Sequence, residues 1–265
     1  MEYKILDSIK NTPSGQRAEE ILGKCVHCGM CNATCPTYDV FGDELDGPRG
    51  RIYQIKQVLE GEPATRIMQQ HMDRCLTCLN CETTCPSGVE YGRLAEIGKE
   101  LIEKEVNRPL FDQIQRRVLR LILPFTSRFS VLLGIGRLFR PLLPNALKHH
   151  IPALIKAKPR PVNTHKRKML ILEGCVQPAL SPNINSACAH VLDKLGISLQ
   201  PVVDSGCCGA VSLHLQAEDE ALQFMRRNID AWWPSIEAGA EAIVVSASGC
   251  GTILKNYHEY LAEDP

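Results

Sequence analysis

The sequence lacks the signatures of several common protein classes. It has no run of eighteen apolar residues, so we expect no single helix to cross a bilayer. Its N-terminus has no basic stretch followed by an apolar one, which favours a cytoplasmic, reducing location. The Gly-x-Gly-x-x-Gly fingerprint of dinucleotide binding is missing, and no Ser/His/Asp arrangement can be argued. The chain therefore offers no candidate group for substrate chemistry.

An excess of one charge sign is also missing, but only over the whole chain. The 30 Lys and Arg balance 30 Asp and Glu. Residues 108–168, called the basic segment below, hold fourteen Lys and Arg and one acid, Asp112, between apolar clusters. Three interpretations stay open: an inter-domain connector, a docking surface for an acidic partner subunit, and peripheral contact with anionic lipid. No nucleic-acid-binding motif accompanies the charge, so we expect no nucleic acid partner.

Cysteine is abundant, and eight of the thirteen cysteines form two copies of the pattern Cys-x2-Cys-x2-Cys-x3-Cys-Pro. The copies lie fifty positions apart, at Cys25, Cys28, Cys31, Cys35 and at Cys75, Cys78, Cys81, Cys85. Bacterial ferredoxins hold a pair of [4Fe–4S] clusters with this spacing, and the fourth cysteine of each run ligates the other cluster. The pattern therefore predicts one-electron transfer.

The ferredoxin rule predicts a crossed set of ligands. Cluster 1 is expected on Cys25, Cys28, Cys31 and Cys85. Cluster 2 is expected on Cys75, Cys78, Cys81 and Cys35. The proline after each fourth cysteine disfavours a helical conformation at that cysteine. Gly29 follows the second cysteine of the first run, whereas Leu79 takes that place in the second run. We therefore expect the two clusters to differ in their surroundings.

Other uses of these cysteines fit less well. A structural zinc site takes two Cys-x2-Cys pairs, which leaves two complete quartets ending in Cys-Pro unexplained. A disulfide framework needs an oxidising compartment and is typical of small secreted chains. A [3Fe–4S] cluster would be plausible if a quartet lacked one ligand, and neither quartet does.

Hydrophobic periodicity predicts a change of architecture along the chain. The first part reads as helices around the cysteine runs, and the last part as strands alternating with helices, which favours a parallel sheet. The predicted strands are 169–172, 199–203 and 242–245, and the predicted helices are 183–195 and 217–238. The first of these helices is expected to carry one apolar face, made of Ala187, Val191, Leu192 and Leu195. We therefore expect an α-helical ferredoxin domain binding two [4Fe–4S] clusters over 1–106, a Pro-containing connector over 107–167, and an α/β Cys-Cys-Gly domain over 168–265.

A second group of cysteines follows the predicted strands. These residues are Cys175, Cys207, Cys208 and Cys250. Ligands bind at the carboxyl ends of parallel strands, so four thiols from separate loops could converge on an additional iron site. The alternative is partial burial without a metal. Cys188 lies in a predicted helix, and we expect it to be a small core residue.

Several segments together resemble one protein family. They are Asp43–Tyr53, Cys75–Val89, Glu173–Pro178 apart from Val176, Gly206–Val211, Asn228–Ile243 and Ala247–Gly251. In these segments, and over nearly its whole length, the chain resembles the iron–sulfur subunits of bacterial glycolate oxidase, also called glycolate dehydrogenase. Two departures stand out: Ala247 replaces a cysteine of the broader group, and one Cys-Cys-Gly module is present where the family has two. We therefore expect a truncated chain and no five-thiolate cluster.

The resemblance implies an electron-transfer subunit of an oxidoreductase complex. A flavoprotein partner carrying FAD or FMN would oxidise glycolate to glyoxylate, and this chain would pass single electrons to a quinone or another acceptor. We expect a cytoplasmic location, and lipid contact through the basic segment would make it a peripheral one on the cytoplasmic face of the inner membrane. The equivalent subunit of a lactate or anaerobic glycerol-3-phosphate dehydrogenase is an alternative, as is a thiol/disulfide reductase like heterodisulfide reductase. A redox-responsive scaffold is a further alternative.

Overall fold

The computed structural model describes residues 2–262 and residue 264, and its first compact unit, which ends at Leu110, is helical. Three of its helices begin at a proline, whose fixed φ suits the first helical position. Thr12 and Thr65 cap two helices by accepting hydrogen bonds from backbone N–H groups. The helices are α1 Asp7–Lys10, α2 Pro13–Lys24, α3 Pro36–Phe41, α4 Pro48–Leu59, α5 Arg66–Asp73, α6 Asn80–Thr83 and α7 Tyr91–Glu105, with 3-10 turns at Met30–Thr34 and Glu44–Asp46.

The core of this unit lies between α2, α4 and α7. Each of these helices buries an apolar face, and Leu22, Ile55 and Leu94 are completely buried. A Cβ on Gly98 would lie 2.4 Å from Ile55 Cγ1, so glycine is what lets α7 approach α4 this closely. The cysteine runs lie in the loops between the helices of this unit. The packed helices therefore fix the position of these loops.

The second compact unit begins at Phe111 and contains strands between helices. Its elements are α8 Leu110–Ile122, α9 Thr126–Phe139, α10 Asn145–Lys148, β1 Arg167–Leu172, α11 Gln177–Leu180, α12 Pro182–Lys194, β2 Ile197–Pro201, α13 Ala210–His214, α14 Glu218–Glu237, β3 Ile243–Val245, α15 Ser248–Lys255 and α16 Tyr257–Tyr260, with a 3-10 turn at Arg140–Leu142. The strands form a parallel sheet of order β2-β1-β3. The predicted order of a helical part before an α/β part with a parallel sheet is confirmed.

The centre of the sheet lies in the middle of the second core. Strand β1 pairs with both neighbours, Met169 opposite Leu199 and Leu170 opposite Ile243. Its last three residues are buried, and Trp232 of α14 packs in the same core. All three strands therefore end at one edge, which the cysteine-bearing loops follow.

Two local predictions for this unit are wrong. Strand β2 runs over Ile197–Pro201 rather than 199–203, because Pro201 has no N–H to continue the ladder. The apolar face predicted for α12 does not point to the core, since Val191 and Leu195 are 59% and 64% exposed. The helix buries small and polar residues instead, with Asn185 bonded to Glu173, so hydrogen bonding sets the orientation of α12.

The basic segment carries two exposed helices, α8 and α9. Neither of these fully described helices contains a buried residue. Within the described part of the chain no single helix is long and apolar enough to span a membrane, although α8 and Thr126–Leu142, bent by 107°, meet that test as a pair. The division at 106 and 167 predicted from the sequence stays a prediction.

Candidate iron–sulfur sites

The two cysteine runs of the first unit have the same backbone shape. His27 and Gly29 take φ values of 57° and 83° in the first run. Thr77 and Leu79, fifty positions later, take 51° and 58°. Positive φ is uncommon outside glycine and costs about 1–2 kcal/mol in a residue such as leucine. Such strain at matching positions is typical of loops shaped around a ligand.

The first run lines a cavity with two cysteines of the second run. Cys25, Cys28 and Cys31 lie in its wall together with Cys85, and Cys81 borders it as well. The thiols therefore come from both runs although they are far apart in sequence. Five cysteines line this cavity, and a [4Fe–4S] cluster takes four cysteine sulfurs, so the residues fit that group. We call this cavity site 1.

The second run lines a matching cavity with one cysteine of the first run. Cys75, Cys78 and Cys81 lie in its wall together with Cys35. We call this cavity site 2. Each site has one exposed cysteine at the same position of the repeat, Cys28 in site 1 and Cys78 in site 2. The other sulfurs are partly or fully buried.

An arginine from α4 lines each site, but the two arginines differ in burial. Arg49 borders site 1, is about a third exposed, and pairs with Glu44 at 2.5 Å. Arg51 borders site 2 and is 1% exposed. Because a charge buried in a low-dielectric interior acts more strongly than one beside water, Arg51 is the stronger electrostatic neighbour.

Arg51 is held by a buried network that the sequence did not indicate. Its Nε donates to the His71 carbonyl at 2.8 Å, and its Nη1 donates to Thr37 Oγ1 at 3.1 Å. The Asp46 carboxylate lies 3.4 Å from Nη2 and also contacts His71 Nδ1 at 2.9 Å and Arg74 at 2.8 Å. His71 thus joins α5 to α4.

Burial changes the acidity of the site 1 and site 2 thiols. Desolvation raises the pKa of Cys31 to about 11 and also raises the pKa of Cys25 and Cys81. A thiol must lose its proton to bind iron, so cluster binding at these cysteines releases protons. Tyr91 borders both sites and donates its hydroxyl to Cys75 Sγ at 3.5 Å, a hydrogen bond to one of the cysteine sulfurs.

The second unit brings the other four predicted cysteines together at the sheet edge. The Cys207 thiol hydrogen-bonds with Cys175 and Cys208, and Cys208 also bonds with Cys250. The bonds from Cys207 lower the pKa of both Cys175 and Cys208. Cys188 lies half-buried in α12, outside this cluster. We call the four residues the Cys-Cys-Gly cluster.

Two residues that sequence reasoning did not single out hold the Cys-Cys-Gly loop. Asn228 Nδ2 donates to the Cys207 carbonyl at 2.8 Å, and the Tyr257 hydroxyl donates to the Cys208 carbonyl at 2.9 Å. Gly209 has φ 88°, and a Cβ there would lie 2.9 Å from the Ala221 carbonyl oxygen. The loop is therefore fixed by two buried side chains and by a position that requires glycine.

Comparisons with known proteins agree with these two cysteine arrangements. Residues 21–89 match the family model of a 4Fe-4S dicluster domain, and residues 169–255 match that of a cysteine-rich domain. The chain is 54% identical over its full 265 residues to the glycolate oxidase iron–sulfur subunit of Escherichia coli K12. Over its whole length the chain is therefore similar to this glycolate oxidase iron–sulfur subunit. The predicted resemblance is confirmed, and the dicluster domain identifies [4Fe–4S] clusters as the cofactor.

Two more distant relatives also match the chain. The chain is 27% identical over 291 aligned residues, 99% of its length, to the probable glycolate oxidase iron–sulfur subunit of Bacillus subtilis. It is 24% identical over 98 residues, 37% of its length, to lactate utilization protein A of Bacillus pumilus, 39% of which is covered. The chain spans 65% of the length of each of the two glycolate oxidase subunits. No solved structure matches the chain.

Proposed function

We propose that this chain is the electron-transfer subunit of a flavin-dependent glycolate dehydrogenase. Glycolate loses two electrons and two protons when it becomes glyoxylate, and the FAD or FMN of a partner flavoprotein takes them up. This chain then delivers the electrons singly to an acceptor, and a quinone would take two electrons and two protons. The observation that carries the proposal is the 54% identity to a glycolate oxidase subunit over the full chain. The two cysteine-lined cavities support the same role.

The proposed ligands follow the two cavities. Cys25, Cys28, Cys31 and Cys85 would hold one cluster in site 1. Cys75, Cys78, Cys81 and Cys35 would hold the other in site 2. A [4Fe–4S] cluster supplies a one-electron couple whose potential depends on hydrogen bonds to sulfur, nearby charge and exposure. The chain contributes rigid loops, buried sulfurs and the α4 arginines to that setting.

Anaerobic purification with the partner flavoprotein tests this function. We expect about eight irons with matching sulfide and two cubane EPR signals when the clusters are reduced. Both signals should also appear when glycolate is the reductant. A zinc-loaded protein without sulfide would contradict the cluster proposal. Signals that respond to lactate or glycerol 3-phosphate, and not to glycolate, would assign the chain to a sister enzyme.

We also propose a peripheral position on the cytoplasmic face of the inner membrane, where a quinone can accept the electrons. Exposed apolar side chains on α8 and α9, together with the fourteen basic residues of the basic segment, support it. Cell fractionation checks this proposal. We expect the complex in the membrane fraction and its release by high salt, and a fully soluble complex at low salt would contradict it.

The Cys-Cys-Gly cluster supports a second candidate activity, in which its thiols bind an additional iron or exchange with a disulfide. The mutual hydrogen bonds lower the pKa of Cys175 and Cys208 and raise the pKa of Cys207 and Cys250. The two lowered thiols favour this candidate, since metal ligands and reactive cysteines both need lowered pKa values. Replacing Cys207 and Cys208 with serine separates the possibilities. If the natural protein holds more than eight irons and the double variant holds only about eight, the Cys-Cys-Gly cluster is a metal site. Unchanged glycolate turnover and unchanged iron would remove the cluster from the proposed function.

A further inference from the structure

Four arginines surround one open cavity of the second unit. The cavity lies where the end of α8 and the start of α9 meet α14. The arginines are Arg117, Arg120, Arg128 and Arg227. Glu220 is the one acidic residue in the wall, and Leu121, Phe125 and Phe224 supply its apolar part. The site therefore combines excess positive charge with an apolar rim.

The contacts of these arginines leave most of their charge unbalanced. Arg120 pairs with Glu220 at 3.4 Å. Arg128 donates to the Leu121 carbonyl at 2.7 Å, and its guanidinium lies 4.0 Å from the centre of the Phe125 ring. Arg227 donates to the Asp204 carbonyl at 2.7 Å. The two carbonyls and the aromatic ring carry no net charge and cannot neutralise an arginine. Four cations in the cavity wall therefore face one carboxylate.

A buried donor without an acceptor points the same way. The Nε of Arg120 is inaccessible to water, and no hydrogen-bond acceptor for it exists among the described residues. Leaving such a group unsatisfied costs about 1–3 kcal/mol, and more when the group is charged. Like charges close together add repulsion. An anion in the cavity would neutralise the arginines, and a small movement of Arg120 would give its Nε an acceptor.

We propose that this cavity binds a phosphate group, and that its source is the headgroup of an anionic phospholipid. Arginine forks match phosphate oxygens, which favours phosphate over a simple halide. The source follows from the apolar side chains at the cavity: Leu121 in its wall is 51% exposed, and Val118 of α8 and Val131 of α9, within three residues of wall residues, are 45% and 63% exposed. Apolar side chains beside a headgroup site would enter the acyl boundary of the bilayer. The inference rests on the peripheral membrane position proposed above and names the lipid chemistry that the chain recognises.

Vesicle flotation of the cluster-loaded protein tests the proposal. Vesicles of phosphatidylcholine with and without phosphatidylglycerol are compared for the natural protein, Arg120→Gln, and the control Arg140→Gln. Both substitutions remove one positive charge from the basic segment, but Arg140 lies outside the cavity wall. Loss of general attraction affects both equally. Because Arg120 would also lose charged hydrogen bonds to phosphate, we expect its binding to phosphatidylglycerol vesicles to weaken about tenfold more than that of the control.

The outcomes separate the sources of phosphate. Equal weakening by Arg120→Gln and Arg140→Gln would overturn the site, because only general electrostatic attraction would remain. If inorganic phosphate protects the protein against thermal unfolding but the protein binds no vesicles, the lipid source is overturned. If Arg120→Gln does not fold, the exposed Arg117→Gln takes its place with the same expectation. Dye reduction by glycolate is measured in parallel with the partner flavoprotein present, so a failure of the electron-transfer proposal would be recognised separately.

Discussion

The twin cysteine runs share a backbone shape but differ in what lies around it. Both have two left-handed residues at matching positions, and both join a fourth cysteine from the other run. Site 1 has Gly29 against a part-exposed Arg49, whereas site 2 has Leu79 and a buried Arg51. The comparison teaches that cysteine spacing sets the geometry of a site, while the helix packed beside it sets the charge.

The largest expected effect comes from replacing the fourth cysteine of each run with serine. If the ligands cross, Cys85→Ser damages site 1 although the cysteine belongs to the second run, and Cys35→Ser damages site 2. We expect each variant to retain about four irons with the EPR signal of the undamaged site. Double variants that pair Cys85→Ser with Cys28→Ser or with Cys78→Ser distinguish the arrangements. Retention of a cluster by the Cys78 pair, and not by the Cys28 pair, would contradict crossing.

The two α4 arginines give the next effect. Arg51→Gln leaves Asp46 buried with fewer partners, so we expect about 3 kcal/mol of destabilisation, whereas the part-exposed Arg49→Gln should cost less than about 1 kcal/mol. Reduction adds negative charge, and removing the buried cation should therefore lower the potential of site 2 alone. We expect about a tenfold change in the ratio of reduced to oxidised cluster, or 59 mV.

Potentiometric EPR and thermal unfolding of the cluster-loaded variants measure both quantities. Arg51→Lys is the matched control, because it keeps the charge and changes the hydrogen bonds. A potential restored by lysine would assign the effect to charge. Equal shifts at both sites, or a shift with Arg49→Gln as large as with Arg51→Gln, would break the comparison between the two sites.

A smaller effect is expected from exchanging the left-handed residues. Gly29→Leu adds a Cβ that would lie 2.5 Å from Arg49 Nη1, and it places a leucine at φ 83°, so we expect about 1–2 kcal/mol of destabilisation. Leu79→Gly relieves backbone strain but removes the side chain that lies over Gly92 of α7, where an added Cβ would come within 2.7 Å of Leu79 Cδ2. Its net effect should stay below about 1 kcal/mol. Chemical unfolding of both variants checks this asymmetry, and equal losses would contradict it.

The sequence predicted those features of the sites that depend on local spacing. The cysteine runs and the order of helical and α/β parts follow from patterns within a few residues of one another. Burial of Arg51 did not, because the partners that make it tolerable come from α5 and from the 3-10 turn at Glu44–Asp46. The buried side of α12 was missed for the same reason, since Asn185 bonds to a distant loop. Polar pairing across the fold is not visible in periodicity.

The smallest expected effect concerns Tyr91, whose hydroxyl donates a hydrogen bond to one cysteine sulfur of site 2. Tyr91→Phe keeps the buried ring that borders both sites and removes the hydrogen bond to Cys75 Sγ. A donor to sulfur stabilises the more negative, reduced state, so its loss should lower the potential of site 2 by less than Arg51→Gln does. Stability should fall by about 1 kcal/mol. Tyr53→Phe, at a ring that is 44% exposed, is the control and should change neither quantity. Potentiometric EPR decides the matter: a shift at site 1 as large as at site 2 would mean that Tyr91 acts through packing and not through its bond to Cys75.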